Sequence, residues 1–455
     1  MKKWLCILAA FALAFSLAST LAAQEKEPVK DSKTEKTADL ADEGEQKLSP
    51  EKLEKKKEGW YPTGLPLVNF SSDDGFGYGL RAYMYYNGER TDRYYDTAPY
   101  FLQLYAQYFA TTNGVQYHEL NADMPYFMGT KFRIKSAFVY EKNLNANFFG
   151  LGAKNANKPL TDNLGKEYDK YADYQKYIDD NEEQTKWYKY TLTKPKYYLY
   201  LFRNLPQHFK AMMGAEFKKA NVDPWGGRKF DGTTMFPTYL ETLGKDAVPG
   251  YDGGWTNYAR FGIGWDTRDY EPDPNKGFYI DYCFEAATSL LGSEYDFQKN
   301  TAGARAYFNP WKPIVLAFRG AYTTASNDIP FYEMNQFGFA LSRQNGLGGN
   351  RTLRGYKADR FVGKTMTLAN AEIRGQFYEV SGAGQRFAFK LVAFFDSGNV
   401  YDASGDPFSD PRWGDYKNSY GGGLVIAWNL ATIIHVYYGM SKEDTGLFIN
   451  FEHNF

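Results

Sequence analysis

The chain has 455 residues, of which 39 Tyr, 35 Phe and 9 Trp make up 18%, while 53 Lys+Arg against 54 Asp+Glu leave it almost neutral. That aromatic share, joined to a mean hydropathy of -0.57, suits neither a compact soluble enzyme nor a bundle of membrane helices, and the balanced charge argues against a basic nucleic-acid surface. A large membrane β-barrel fits, because its strands interleave lipid-facing and polar residues.

Met1-Lys2-Lys3, an apolar run from Trp4 to Leu17 and the small residues Leu21-Ala22-Ala23 have the three parts of a secretory signal peptide, residues 1–23, with cleavage expected near Ala23. Its removal takes Cys6 away and leaves Cys283 alone, so no intramolecular disulfide is expected. Residues 24–59 are dense in Lys, Glu and Asp and short of large apolar side chains, which predicts a disordered charged periplasmic segment. Composition changes at Trp60-Tyr61-Pro62, and residues 60–455 read as one all-β unit, an antiparallel transmembrane β-barrel in the bacterial outer membrane.

No stretch after residue 24 has 18 consecutive apolar residues, whereas short period-2 segments recur. Sixteen strands are expected, at residues 65–72, 76–87, 98–110, 115–125, 131–141, 186–201, 209–219, 256–266, 277–290, 294–308, 313–323, 365–378, 385–396, 418–428, 432–440 and 446–454. The long connections, 142–185, 220–255, 324–364 and 397–417, all follow odd-numbered strands, and every connection after an even-numbered strand is about ten residues or fewer. Such parity is expected of a barrel with short periplasmic turns and longer outer loops. On the last strand Leu447, Ile449, Phe451, His453 and Phe455 share one face. The terminal Phe455, with Phe451, resembles the signal by which outer-membrane assembly machinery recognises its clients.

Two motifs stand out near the C-terminal end. The connection before the twelfth strand contains Leu353-Arg354-Gly355-Tyr356, and the thirteenth contains Phe394-x-Asp396-x-Gly398. Alternation puts Phe389, Leu391, Ala393 and Phe395 towards lipid and Lys390, Phe394, Asp396 and Gly398 towards the lumen; on the twelfth strand Ala371 and Ile373 face out, and Asn370, Glu372 and Arg374 face in. A guanidinium dipping in from the loop could bind the carboxylates of Glu372 and Asp396 with charge-assisted hydrogen bonds, and Gly355 would let the backbone turn tightly against the wall. Taken alone, Arg354 reads rather as a solvated loop residue and Asp396 as an ordinary lumen charge, since exposed ion pairs contribute little.

The pairing of motifs resembles the BamA-like outer-membrane assembly and translocation superfamily, also called the bacterial surface antigen family, in which a hydrophobic-Arg-Gly-aromatic loop tip meets an inner-wall motif. Looser similarity extends to Asn147-Phe148-Phe149-Gly150-Leu151-Gly152 and to Asp266-x-Arg268 with Pro274-Asn275-Lys276-Gly277. The resemblance implies a loop-to-wall lock made by Arg354, Gly355, Tyr356, Glu372, Phe394, Asp396 and Gly398. It also implies a role in inserting or translocating proteins, or moving lipid, through a barrel whose first-to-last strand seam opens. Residues 24–59 are too few and too polar for even one of the family's polypeptide-transport-associated modules, so a barrel standing alone is expected.

The four His are scattered, and no zinc spacing, G-x-S-x-G elbow, P-loop or dinucleotide fingerprint occurs. Gly421-Gly422-Gly423 reads as close strand packing, and Asp179-Asp180-Asn181-Glu182-Glu183 as a solvated run. The expectation is a non-enzymatic protein without metal or cofactor, whose partners are outer-membrane lipid and unfolded outer-membrane or exported proteins. The competing expectation is a passive channel or structural surface barrel that keeps the scaffold without insertase activity.

Overall fold

A computed structural model describes residues 48, 53–54, 56–181, 185–230, 232–271, 273–326, 328–382, 385–401, 407–410, 412–428 and 432–451. The signal-peptide residues 1–23, most of 24–59 and the terminal Phe455 therefore lie outside the described residues.

Sixteen antiparallel strands close into a barrel. They are β1 Trp60–Ser71, β2 Gly75–Tyr86, β3 Leu102–Thr111, β4 Val115–Met124, β5 Phe132–Asn147, β6 Lys189–Asn204, β7 Phe209–Pro224 and β8 Tyr258–Asp266. The second half holds β9 Gly277–Ala287, β10 Phe297–Trp311, β11 Ile314–Ala325, β12 Thr365–Gly382, β13 Gln385–Tyr401, β14 Lys417–Trp428, β15 Thr432–Ser441 and β16 Thr445–Phe451. Each expected strand is present. Several run further outwards than alternation suggested: β5 continues to Asn147, where it pairs with Lys189 of β6. Lys142, Asn143, Asn145 and Asn147 are polar on both faces, so this extension above the membrane carries no period-2 signal.

Because every other side chain points outwards, Leu80, Leu104, Leu120, Phe138, Ile263, Ile280, Phe318, Ile373, Leu391 and Phe395 form an exposed apolar band. Trp60, Phe209, Phe308, Trp311, Phe377 and Tyr378 are exposed at its periplasmic rim, and Phe76, Tyr78, Tyr108, Tyr140, Tyr420 and Tyr438 towards the outer one, as amphipathic rings do at both membrane interfaces. A bulge in β12 between Gln376 and Tyr378 breaks strict alternation, which is why Phe377 and Tyr378 are both exposed. Among the described residues no helix is long and apolar enough to cross a membrane; the crossing is made by strands.

The long connections 148–188, 225–257, 326–364 and 402–416 all follow odd-numbered strands, as expected. One short-side connection departs from the expectation. Residues 87–101, between β2 and β3, form a larger turn instead of starting β3 at residue 98. Tyr94, Tyr95 and Ala98 are buried there, the Tyr94 ring stacks on Tyr126 at 4.2 Å, and the amides of Thr97 and Ala98 both donate to the Tyr94 carbonyl. The end of the charged leader is also ordered, against the disorder expected to residue 59: Lys56 Nζ donates to the carbonyls of Tyr95 and Ala98 at 2.8 and 2.9 Å. These two bonds, with the Lys56 ammonium 3.8 Å from the Tyr95 ring centroid, hold a residue whose surrounding composition alone speaks for solvent.

The connection 326–364 folds inwards. Phe337, Phe339, Leu347, Leu353, Tyr356 and Phe361 bury against Ala321, Met366, Leu368 and Val400 of β11–β13, so the lumen has an apolar core of its own. Outside it, loop 148–188 packs Phe149, Tyr168, Tyr174, Trp187 and Tyr188 into an aromatic roof, against which Tyr239 of loop 225–257 rests.

Candidate functional site: a loop locked to the barrel wall

Arg354 is fully buried on the inward loop. Its Nε and Nη2 donate to Asp396 Oδ2 and Oδ1 at 2.9 and 2.7 Å, its Nη1 to Glu372 Oε1 at 2.6 Å, and its backbone N–H to Asp396 Oδ2 at 3.2 Å. This is the planar two-pronged geometry that only a guanidinium supplies. Direct register pairs set the acceptors: Glu372 lies opposite Phe394 and Asn370 opposite Asp396 in the β12–β13 ladder. Asp396 also accepts from Asn370 Nδ2 at 2.7 Å and Ser419 Oγ at 3.2 Å, and Arg374 Nε donates to Glu372 at 2.8 Å. Two cations and two carboxylates therefore neutralise one another, and the hydrogen bonds offset the cost of taking them from water.

The remaining motif residues have packing roles. The Phe394 ring lies under the guanidinium, 3.5 Å from its carbon, and Tyr437 of β15 stands at 5.2 Å. Gly355 has no room for a side chain: a Cβ there would sit 2.4 Å from the Met440 carbonyl carbon, and one at Gly439 would sit 2.1 Å from the Arg354 carbonyl oxygen. These two glycines let loop and wall backbones touch. A Cβ at Gly398 would stand 2.8 Å from Leu347 Cδ2, so its absence seats that loop residue. Tyr356 is buried edge-on against Phe361 at 5.0 Å. Of the two terminal aromatics, Phe451 is the last described residue of β16 and Phe455 lies outside the described residues.

A second ionic cluster, missed by the motif reading, holds the other end of the loop. Arg343 pairs with Glu285 and lies 3.6 Å from Glu333 and 3.8 Å from Glu216; Lys218 Nζ stands 2.5 Å from Glu333 and 3.2 Å from Glu216. Arg260 of β8 reaches Glu285 of β9 at 2.8 Å, and Lys299 of β10 donates to the Glu333 carbonyl at 2.8 Å. Arg260, Glu285 and Lys299 are direct cross-strand neighbours. The signal was a row of charges at inward positions, which becomes visible only once the register is known.

The looser motifs also meet this loop or shape the turns. Asn147 Nδ2 donates to the Ala358 carbonyl at 2.9 Å and the Gly152 amide to the Val362 carbonyl at 2.8 Å. At the periplasmic end Arg268 grips Asp266 through Nε and Nη2, both at 2.8 Å, while Asp269 accepts from the Asn275 and Lys276 amides at 2.9 and 3.2 Å.

The seam closes the barrel between the first and last strands. β1 pairs with β2 from Trp60↔Tyr86 to Ser71↔Gly75, but its ladder with β16 among the described residues consists of Phe70↔Ile449 and Ser71↔Phe448. Beyond these, Ser72 donates its amide to the Leu447 carbonyl at 3.1 Å and accepts the Leu447 amide on Oγ at 2.8 Å.

An apolar band, two aromatic rims, parity in the loops and a lumen filled by one inward loop define an outer-membrane β-barrel plugged by its own chain. The chain belongs to the Omp85 superfamily, whose domain matches residues 125–444. Residues 41–101, which include the leader's end, β1, β2 and the turn after them, match a separate domain of unknown function. Among solved structures, BamA from Haemophilus ducreyi lacking POTRA domains 1-3 is similar at 13% identity with a TM-score of 0.54, covering 87% of this chain and 70% of that one. CdiB from Escherichia coli is similar at 10% identity with a TM-score of 0.50, covering 87% of this chain and 63% of that one, so the present chain spans less than two thirds of CdiB. These likenesses concern the fold. No match was found among curated proteins.

Proposed function

We propose that this barrel inserts or translocates polypeptides at the outer membrane by opening between β1 and β16. The observation that carries the reading is that β1 and β16 meet at the one junction of the barrel made without chain continuity, in a chain of the Omp85 superfamily. An edge exposed there offers unpaired backbone groups to an extended client strand, which can add by β-augmentation. The plugged lumen argues in the same direction, since a passive channel needs an unobstructed path. Unfolded outer-membrane or exported proteins are the partners on this reading, with outer-membrane lipid around the opened edge and no enzymatic chemistry.

The test is a lock. Phe70→Cys with Ile449→Cys, register partners on the lipid-facing side, in a Cys283→Ala background, joins the two strands on oxidation. In proteoliposomes the reduced protein should speed the folding of an added urea-denatured outer-membrane barrel, and the oxidised form should lose that acceleration until reductant restores it. Equal acceleration by both forms would overturn the seam mechanism, and none by either form would overturn the insertase reading.

A further inference from the structure

The inward loop does more than fill the lumen: just beyond the Arg354 lock, it lies across the outer end of the seam. Lys357 Nζ stands 3.5 Å from Asp73 Oδ1, in the β1–β2 turn, and 3.4 Å from Asp444 Oδ2, in the β15–β16 turn. These carboxylates belong to opposite sides of the only junction without chain continuity. The side chains of all three residues are 10–12% exposed, so water screens the pairs weakly. The neighbouring Ala358 amide adds a bond to Asp73 Oδ2 at 3.1 Å, and on the opposite side Ser441 Oγ donates to the Gly355 carbonyl at 2.7 Å. Arg360 grips Glu443 through Nε and Nη2 at 2.7 and 2.9 Å.

We propose that Lys357 is a clasp that holds the β1–β16 seam shut at its outer end, and that a change in the inward loop releases it. Contacts that bridge the two strand ends through a third element add to closure at the outer end of the junction, where Lys357 touches both turns. Arg354 and Lys357 lie on consecutive turns of one short segment, so displacement of the lock at the wall withdraws the ammonium from both carboxylates. Lumen and seam are thereby coupled: what fills or empties the barrel interior sets whether its edge is free. The inference rests on the seam being the working part, yet it concerns the seam's equilibrium and is read without any client.

The experiment uses the full barrel in lipid nanodiscs, spin-labelled at Val68→Cys and Leu447→Cys in the Cys283→Ala background, with pulsed dipolar spectroscopy reporting the distance across the seam. The parent should give one narrow short distance. Lys357→Gln should raise a second, longer population about fivefold, the ratio that roughly 1 kcal/mol represents. Lys357→Arg should restore the narrow distribution. Asp444→Asn should act like Lys357→Gln, which covers the case of a Lys357 variant that fails to fold. Lys170→Gln, which removes a side-chain bond to the Lys442 carbonyl on one side of the seam only, should change nothing. Folded Lys357→Gln and Asp444→Asn proteins with the parent's distribution would overturn the clasp. A seam that opens in these variants while client folding is not accelerated would leave the clasp standing and remove the insertase reading.

Discussion

Removing the Arg354 side chain would leave Asp396 and Glu372 buried without the guanidinium that bridges them. Breaking a buried pair on one side typically costs about 3–5 kcal/mol, far more than an exposed pair is worth. Arg354→Ala is therefore expected to lower the temperature at which the barrel changes from its compact to its unfolded electrophoretic form. Arg354→Lys should recover little, because an ammonium cannot bridge both carboxylates while lying flat on Phe394. A melting curve unchanged in both variants would show that the loop is held by its apolar contacts instead. This site was largely legible in the sequence, since alternation placed Asn370, Glu372, Arg374 and Asp396 inwards and the motif supplied the arginine. Tyr437 and Ser419 escaped notice because nothing local on β14 or β15 marks them; they enter only through register.

At the scale of elements, the inward loop carries its own sensitivity to pH. Loss of solvent raises the Asp359 carboxyl to about 7, against the lowering influence of the Asn335 amide and Lys194 and helped by Asp73 and Asp74. Asp74, in the β1–β2 turn, is raised to about 6, mainly by burial and by Asp73, against Ser71, Lys189 and Lys357. A carboxyl whose folded pKa lies above its unfolded value of about 3.9 binds its proton more tightly when folded. Its contribution is fully present below that unfolded value and is lost as pH rises through the folded one. Barrel stability should thus fall between about pH 4 and pH 7, and Asp359→Asn should flatten the slope by holding the neutral form, at a position whose φ of 57° suits Asn. Thermal unfolding across that range checks it; a parent whose stability rises with pH, or an equal slope in the variant, would refute the assignment. The strands themselves were readable from period-2 alternation. The turn 87–101 was not, because Ala98-Pro99-Tyr100-Phe101 looks like the start of a strand, and the burial of Tyr94 and Tyr95 depends on Lys56 and Tyr126, distant in sequence.

For the whole molecule, loop parity made the barrel and its orientation readable before any contact was known, because a miscounted strand would have put a long loop on the wrong side. The degree of closure was not readable. That Lys357 stands between Asp73 and Asp444, on opposite sides of the β1–β16 junction, follows from the path of a loop that returns to the wall from inside, which no local pattern in the sequence marks. With the 326–364 loop folded into the lumen and tied to the wall, the working path lies at the edge of the barrel and not through its pore. Single-molecule conductance in planar bilayers tests this most directly. The parent should show little steady current and brief flickers, and Arg354→Ala should show larger and longer openings as the loop leaves the wall. A large, steady conductance from the parent, unchanged by Arg354→Ala, would mean a standing channel and contradict the account.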